Sequence, residues 1–267
     1  MKSTADMEQE KKYLRDNMFV ISCAARTGST MLVHMLRTHP GIICHGEVYT
    51  GDKVGTLTAN YPLKRQNPEL ESELLRCYRE LPEIFFYKYV YDLQGRSVVG
   101  FKFKTSELFD PKYSHVAKIL IEDIDIKVVH LHRSDLVAQY ISHQVVLNQT
   151  GITFITKPED RTPIEQFNVD LKHFRDYVNN VFHKEQSSLD CYSKHRGYYI
   201  SYEDIVSESE PAINSLQEFI GVQPSKLKKG TEKIIDRELA DLVTNLAVVR
   251  ELYAELEDCR PIKNCFS

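Results

Sequence analysis

The sequence predicts an α/β fold of three layers, with helices on both faces of a central parallel sheet. Short apolar runs typical of buried strands alternate with segments of helical periodicity, which favours parallel strands joined by helices. Two of the strands run directly into polar turns, at Arg26 and at Arg133. The chain has 267 residues and a hydrophobic content of 42%, so it can bury a large core in one domain.

Five apolar or alternating segments are predicted as strands, and the segments between them have helical spacing. The strands are residues 19–23, 42–44, 98–104, 126–132 and 197–202. The helices are residues 31–36, 69–79, 114–123, 136–142, 164–182, 211–220 and 239–256. In the third strand, alternation places Lys102 and Lys104 on one face and Phe101 and Phe103 on the other.

Composition narrows the class of protein. The net charge of −4 argues against a general binder of nucleic acid or anionic membranes, so basic residues are expected in a local pocket. Six cysteines without a CxxC pair favour reduced thiols in a cytosol-like compartment. No apolar signal region and no stretch of about twenty apolar residues occurs, so we expect a soluble, cytoplasmic protein.

The turn of residues 26–30 after the first strand has the features of an anion site. Gly28 permits a tight turn, free N–H groups of the following helix face the turn, and Arg26, Ser29 and Thr30 add a positive charge and donors. An ordinary strand–helix turn with a surface arginine is the alternative. The turn lacks the GxxxxGK[ST] pattern of a nucleoside-triphosphate loop, which disfavours triphosphate chemistry.

A second anion holder is predicted after the fourth strand. Arg133 stands at the carboxyl end of that strand, and Ser142 follows nine residues later on a helix. Because ligands of open α/β sheets bind outside the carboxyl ends of the strands, both turns are expected at one edge. One ligand with two separated phosphates fits this pair, although the spacing alone also fits a solvated arginine and an ordinary helix serine.

Four motifs occur in order along the chain: Arg-Thr-Gly-Ser-Thr-Met-Leu, then His-Pro-x-Ile, then Gly-Glu, and later His-Arg-Ser-Asp-Leu-Val-Ala-Gln-Tyr-Ile-Ser. Together these motifs resemble the family of sulfotransferases that use 3′-phosphoadenosine 5′-phosphosulfate (PAPS). The similarity is closest to the carbohydrate, tyrosylprotein and bacterial glycolipid branches. It implies a P-loop-NTPase-like sulfotransferase fold for residues 18–267, after a flexible N-terminus of residues 1–17. Residues 48–97 and 148–163 would then form acceptor-site or lid insertions.

The resemblance also implies a role for each motif. Residues of the first turn would hold the 5′-phosphosulfate, and Arg133 and Ser142 would hold the 3′-phosphate. The segment beginning at Tyr202 resembles a recurring part of the family, and a late basic loop often closes over the nucleotide. The nucleotide-binding residues implied in this way are Arg26, Thr27, Gly28, Ser29, Thr30, Arg133, Ser142, Tyr202, Lys228 and Lys229.

A base is still needed for the acceptor hydroxyl, and Glu47 occupies the place where several branches carry a glutamate. The histidine of the cytosolic branch is replaced here by Ser106, and His45 is the reserve base. Arg26 and the turn amides would stabilise the leaving phosphate, and Lys102 is a candidate sulfate or phosphate ligand. The alternatives are a turn carboxylate at Glu47 and a structural ion pair at Lys102. A raised pKa would suit Glu47 as a base.

The sequence therefore predicts in-line transfer of a sulfuryl group from PAPS to a hydroxyl acceptor, leaving adenosine 3′,5′-bisphosphate. The acceptor is a small molecule, sugar, lipid or peptide, and no nucleic-acid partner is expected. No metal is required, and a metal site at His130 and His132, which share a strand face, lacks a suitably spaced third ligand. The competing hypotheses are an ATP- and magnesium-dependent kinase of nucleotides or small molecules, and a binding module without activity.

Overall fold

The computed structural model describes residues 16–51, 53–55, 57 and 68–260. A central sheet contains five strands, and a separate antiparallel pair of short strands lies outside it. The central strands are β1 (Met18–Cys23), β2 (Ile42–Glu47), β5 (Val98–Lys104), β6 (Lys127–His132) and β7 (Gly197–Ser201). The separate pair is β3 (Tyr49–Thr50) and β4 (Lys53–Val54). The central order is β2-β5-β1-β6-β7, and every neighbouring pair is parallel.

Helices connect and cover these strands. The α-helices of the described residues are α1 (Ser29–Arg37), α2 (Pro68–Glu80), α3 (Pro82–Ile84), α4 (Thr105–Leu108), α5 (Ser114–Glu122), α6 (Leu136–Val145), α7 (Leu171–Cys191), α8 (Tyr202–Val206), α9 (Glu210–Ile220) and α10 (Leu246–Glu257). Two π-helical segments, Phe85–Val90 and Val146–Thr150, and three 3₁₀ turns, Pro111–Tyr113, Pro158–Asp160 and Leu239–Asp241, complete them.

The residues of β1 alternate between two hydrophobic cores, one on each face of the sheet. Met18 and Val20 belong to a core that includes buried residues of α2, α5 and the first π-helical segment. Phe19 and Ile21 belong to the opposite core, with α1 and α9. Successive side chains of a strand point to opposite faces, so a strand buried on both sides must be apolar throughout. The predicted three-layer α/β fold is confirmed.

The alternation predicted for β5 is also confirmed. Phe101 and Phe103 pack in an aromatic cluster around Tyr49, with ring centroids 5.8 and 6.2 Å from the tyrosine ring. Lys102 and Lys104 face the other way, where both contact a carboxylate. The pleat of one strand therefore separates an aromatic core from a charged cluster.

A third core joins α6, α7 and α10 beside the sheet. Phe174 and Val178 of α7 and Val249 of α10 are fully buried in it. The carboxyl-terminal helix is thus packed against the helix that follows β6. This contact fixes α10 next to the polar turn at Arg133.

Two predicted helices begin later in the structure than the sequence indicated. The helix expected from Ile164 begins at Leu171, where the Asp170 carboxylate accepts a hydrogen bond from the His173 amide at 3.0 Å. Phe167 instead pairs its backbone with Leu242 and Thr244. The same pairing interrupts the helix expected over 239–256, because residues 242–244 cannot be helical while they form this bridge.

The two expected insertions contain more regular structure than predicted. Residues 48–97 include the β3–β4 pair, α2, α3 and a π-helical segment whose Phe85 and Phe86 are fully buried. Residues 148–163 begin within the second π-helical segment and include a 3₁₀ turn. Of the predicted N-terminal segment 1–17, only residues 16–17 are among those described. Within the described ranges, no helix combines the length and the apolar character needed to cross a bilayer.

Candidate active site

Most of the candidate residues gather at the carboxyl edge of the sheet, because all five strands are parallel. The order across the edge follows the strand order. Glu47 ends β2, Lys104 ends β5, the turn at Arg26 follows β1, Arg133 follows β6 and Tyr202 follows β7. This edge is where ligands of open α/β sheets bind.

The turn between β1 and α1 exposes the amino terminus of a helix. Gly28 is the N-cap residue, with a left-handed φ of 76°, and no side chain caps the helix. The Leu32 amide donates to the Gly28 carbonyl at 3.0 Å, so the amides before it have no partner within the helix. The first helical turn contains no acidic residue. Such a terminus attracts an anion through its N–H groups and the helix dipole.

Arg26 and Ser142 come together although they belong to different turns. The Nε atom of Arg26 donates to the Ser142 hydroxyl at 3.0 Å, and Nη1 donates to the Thr153 carbonyl at 2.6 Å. Burial and the neighbouring positive charge of Arg133 lower the pKa of Arg26. Two positive charges are thus held close together, which suits a multiply charged anion.

Arg133 contacts both the first turn and Tyr202. Its Nη1 atom donates to the Arg26 carbonyl at 3.3 Å, and its guanidinium lies 4.2 Å from the centroid of the Tyr202 ring. Its Nε atom is buried without a hydrogen-bond partner in the structure. A buried donor without a partner is costly, and an anionic ligand oxygen would satisfy it.

Gly28 also leaves the space that Tyr202 occupies. A Cβ atom built at Gly28 would lie 2.5 Å from Cδ2 of the Tyr202 ring. The ring lies close to the first turn, and the Arg133 guanidinium lies 4.2 Å from its centroid. Tyr202 therefore joins the two predicted anion holders.

Glu47 lies between two lysines at the other end of the edge. Its Oε1 atom is 2.8 Å from Nζ of Lys102, and its Oε2 atom is 2.8 Å from Nζ of Lys104. Lys102 is buried, and its ammonium also lies 3.5 Å from the Thr30 hydroxyl. One lysine therefore contacts both the candidate base and the candidate phosphate turn.

The charge of Glu47 is set by this arrangement. Burial opposes ionisation, but the ammonium groups of Lys102 and Lys104 outweigh it and lower the pKa of Glu47. Burial disfavours the charge of Lys104, yet Glu107 and Glu47 raise the pKa of that lysine. Glu47 therefore does not have the raised pKa that would suit a general base, and its carboxylate is ionised at neutral pH.

Glu107 is buried beside this cluster, although no sequence motif singled it out. Its Oε1 atom is 3.1 Å from Nζ of Lys104, and its Oε2 atom accepts a hydrogen bond from the Lys104 amide at 2.8 Å. The available signal was a glutamate three residues after a strand end, which is the spacing of a capping box. Glu107 therefore positions Lys104, which in turn contacts Glu47.

Several predicted residues have structural partners instead. His45 is fully buried, with Nε2 2.9 Å from the Val90 carbonyl, and burial lowers its pKa to about 4. The Thr27 hydroxyl donates to the Ala24 carbonyl at 2.9 Å and so stabilises the turn from within. Alternation alone would place His45 and Glu47 on one face, because they are two positions apart. The register shifts between them, so that His45 is level with Phe101 and Glu47 is level with Lys102.

Three further residues were predicted to bind the nucleotide, namely Ser29, Lys228 and Lys229. Ser29 is buried in the first turn of α1, close to the end of β1. Nζ of Lys229 is 2.9 Å from the Glu208 carboxylate and donates to the Val206 carbonyl at 2.7 Å. The Lys228 amide donates to the Thr38 hydroxyl at 3.1 Å. In the structure, therefore, the Lys229 ammonium is engaged near the end of α8, and nucleotide binding by Lys228 and Lys229 stays a prediction.

His130 and His132 do not assemble a metal centre in the part of the chain that the structure describes. The His130 ring stacks on Tyr199 at a centroid distance of 4.8 Å, and burial lowers the pKa of both histidines to about 4. No group of three or more metal-ligating side chains occurs among the described residues.

Comparisons with known proteins give one family match. The model of the Sulfotransferase family matches residues 18–225. No curated protein sequence matches the chain. A sulfotransferase from Alicyclobacillus acidocaldarius aligns with a TM-score of 0.45 and 16% identity over 90% of this chain and 94% of that chain.

Two further solved structures are similar at the same level. The sulfotransferase domain of the curacin biosynthetic pathway has a TM-score of 0.45 and 16% identity, over 79% of this chain and 75% of that chain. The sulfotransferase domain of the Synechococcus PCC 7002 olefin synthase has a TM-score of 0.42 and 16% identity, over 78% and 74%.

Proposed function

Because the chain belongs to the sulfotransferase family, we propose that it transfers a sulfuryl group from PAPS to a hydroxyl group of its acceptor, with Glu47 as the general base. One observation carries the proposal. The Lys102 ammonium lies 2.8 Å from Glu47 and 3.5 Å from the Thr30 hydroxyl of the phosphate turn. The candidate base and the candidate holder of the leaving group therefore contact one buried cation, which places them close together at the same edge of the sheet.

The two anion holders supply the proposed nucleotide site. The amides at the start of α1, together with Arg26 and Thr30, would bind the 5′-phosphosulfate. Arg133, Ser142 and Tyr202 would bind the end that carries the 3′-phosphate. The buried Nε atom of Arg133 supports this assignment, because it has no partner in the structure and suits a phosphate oxygen. When bound, PAPS supplies the activated sulfuryl group.

The protein's own contribution is to position groups and to stabilise charge. Glu47 is ionised at neutral pH and can accept the proton of an acceptor hydroxyl. Arg26, Lys102 and the helix amides provide fixed positive charge where a phosphate would leave. The acceptor is proposed only as a hydroxyl compound.

The proposal is tested by separating binding from turnover. Adenosine 3′,5′-bisphosphate binding is measured by calorimetry, and transfer is measured with labelled PAPS and a mixture of sugar, lipid, peptide and phenol acceptors. Arg133→Ala should weaken bisphosphate binding about 100-fold, because a charged hydrogen-bond donor is lost. Glu47→Gln should bind the bisphosphate within about threefold of the wild type and lose turnover about 100-fold or more.

Two results would contradict the proposal. If Glu47→Gln abolished binding while Arg133→Ala kept it, the assigned roles would be reversed. If ATP with Mg²⁺ raised the melting temperature and the bisphosphate did not, the kinase hypothesis would replace the present one.

A further inference from the structure

The turn that carries Arg133 is held by side chains from the carboxyl-terminal part of the chain. The guanidinium of Arg250 forms two hydrogen bonds to the Asp135 carboxylate, at 2.7 and 2.8 Å. The Tyr253 hydroxyl donates to the Ser134 carbonyl at 3.0 Å. Arg250 and Tyr253 both belong to α10.

Arg260, which follows α10 in the chain, also donates hydrogen bonds to the turn. Its Nη1 atom donates to the Ser134 carbonyl at 2.9 Å, and its Nη2 atom donates to the Arg133 carbonyl at 2.6 Å. Nη2 also lies 3.2 Å from the buried Glu185 carboxylate. We call Arg250, Tyr253 and Arg260 the C-terminal clamp.

The helix that carries Arg250 and Tyr253 is packed in a core, and the turn after β6 also has hydrogen bonds to a second element. Val249 and Leu252 of α10 are buried in the core shared with α6 and α7. On the other side of the turn, the Glu203 carboxylate accepts hydrogen bonds from the amides of Ser134 and Asp135, at 3.1 and 3.3 Å. The turn is therefore bonded on both sides to packed elements, which restricts the conformations that Arg133 can adopt.

We propose that the C-terminal clamp positions Arg133 and so sets the affinity for the phosphate-bearing nucleotide, without touching the nucleotide itself. The inference rests on the function proposed above and extends it beyond residues 18–225, which match the family. Binding costs less free energy when the binding group is already ordered, because the ordering entropy is not lost at that moment. The members of the clamp act as positioning residues.

Tyr253→Phe and Arg250→Ala test the clamp with little disturbance of the fold. Tyr253→Phe removes one hydroxyl and keeps the ring, and Arg250 is partly exposed, so its removal leaves no cavity. Arg196→Ala is the matched control, because it also breaks an arginine–aspartate contact, with Asp16 at 3.0 Å, but at the opposite edge of the sheet. The buried Arg260 is left unchanged, since its loss would strand the Glu185 charge.

Calorimetry with adenosine 3′,5′-bisphosphate gives the main readout. Tyr253→Phe should weaken binding about threefold and Arg250→Ala about fivefold, as expected for one hydrogen bond and one exposed bidentate pair. Arg250→Lys should recover part of the loss, and Arg196→Ala should match the wild type. In the Arg133→Ala background the effect of Arg250→Ala should disappear, because the clamp acts through that guanidinium.

Hydrogen exchange of the free protein gives a readout that needs no nucleotide. The amides of residues 133–136 should exchange faster in both clamp variants than in Arg196→Ala. If the wild type failed to bind the bisphosphate, the proposed function would be overturned, while exchange would still decide whether the clamp orders the turn. If the wild type bound it and the clamp variants matched the control in affinity and exchange, the present inference alone would be overturned.

Discussion

Glu47 shows how two neighbouring cations decide the state of one carboxylate. Burial alone would favour its neutral form, and the ammonium groups of Lys102 and Lys104 reverse that preference and lower the pKa. The stability that this ion cluster contributes is present above the ordinary carboxyl pKa of 4.5 and is lost as the pH falls through the lowered value. The same lysines therefore control the acid limit of any reaction that uses Glu47 as a base.

Lys104→Met is expected to shift the acid limb of the pH–rate profile to higher pH. The variant removes one of two cations that favour ionised Glu47, so the pKa of that carboxyl rises towards or above its ordinary value. The profile of kcat/KM for sulfate transfer measures the shift. Lys118→Met is the control, because Lys118 is exposed and pairs only loosely with Glu122 at 3.9 Å. An acid limb that does not move would exclude Glu47 as the titrating base.

Motifs and strand alternation predicted the residues of the candidate site better than the contacts between those residues. Arg133 was selected because it stands at a strand end, Lys102 because of the face of its strand, and Glu47 because of the family resemblance. Lys104 was placed on the same face as Lys102 but was given no role, and Glu107 was missed. The roles of Lys104 and Glu107 depend on contacts between different parts of the chain, which cannot be predicted from the spacing of residues along one strand.

The turn between β1 and α1 depends on Gly28 for two separate reasons. Its φ of 76° is strained for any residue with a Cβ atom, and that atom would also overlap the Tyr202 ring at 2.5 Å. The backbone strain is expected to lower stability, and the overlap with the Tyr202 ring is expected to disturb the contact with Arg133. Stability and binding affinity can be measured separately.

Gly28→Ala is expected to weaken adenosine 3′,5′-bisphosphate binding by about tenfold or more and to lower stability by about 1–3 kcal/mol. Displacement of the Tyr202 ring would move the Arg133 guanidinium that lies against it. Gly95→Ala is the matched control, since Gly95 has a φ of 78° and nothing within 4 Å of the added Cβ atom. It should lose stability through strain and keep its affinity. Equal affinity losses in both variants would contradict the proposed role of Tyr202.

Element boundaries were predictable where a local signal ended the element. Gly221 ends α9 with a left-handed φ of 108°, as its position after the last periodic residue indicated. The start of α7 was not predictable from periodicity, because Ile164 and Phe167 continue the apolar spacing without being helical. Their burial comes instead from contact with the core of α6, α7 and α10, and Phe167 pairs with a segment more than seventy positions away.

Among the described residues, three histidines are buried in the central sheet and have lowered pKa values. His45 lies in β2, and His130 and His132 lie in β6. Burial is the main cause that lowers each pKa from the ordinary 6.5 to about 4. Between these values the unfolded chain binds protons that the folded protein does not, so the free energy of unfolding falls as the pH decreases.

Stability should fall between about pH 6.5 and about pH 4 with a slope of about 1.4 kcal/mol per pH unit for each histidine. Urea unfolding at several pH values in this range measures the slope. His130→Phe should reduce the slope by about one histidine's share while keeping the stacking on Tyr199. A stability that is independent of pH in this range would mean that these histidines titrate equally in the folded and unfolded states.

The strand order also determines when the candidate site can be complete during synthesis. β1 leaves the ribosome before the other strands of the sheet, yet its neighbours are β5 and β6, as the register pairs Met18 with Val99 and Phe19 with Lys127. Arg260 bonds to the Arg133 carbonyl across 127 positions of chain. During synthesis, the turns at Arg26 and Arg133 are therefore made well before Arg260, which bonds to the second of them. Only when residue 260 has left the ribosomal tunnel can these long-range contacts close together.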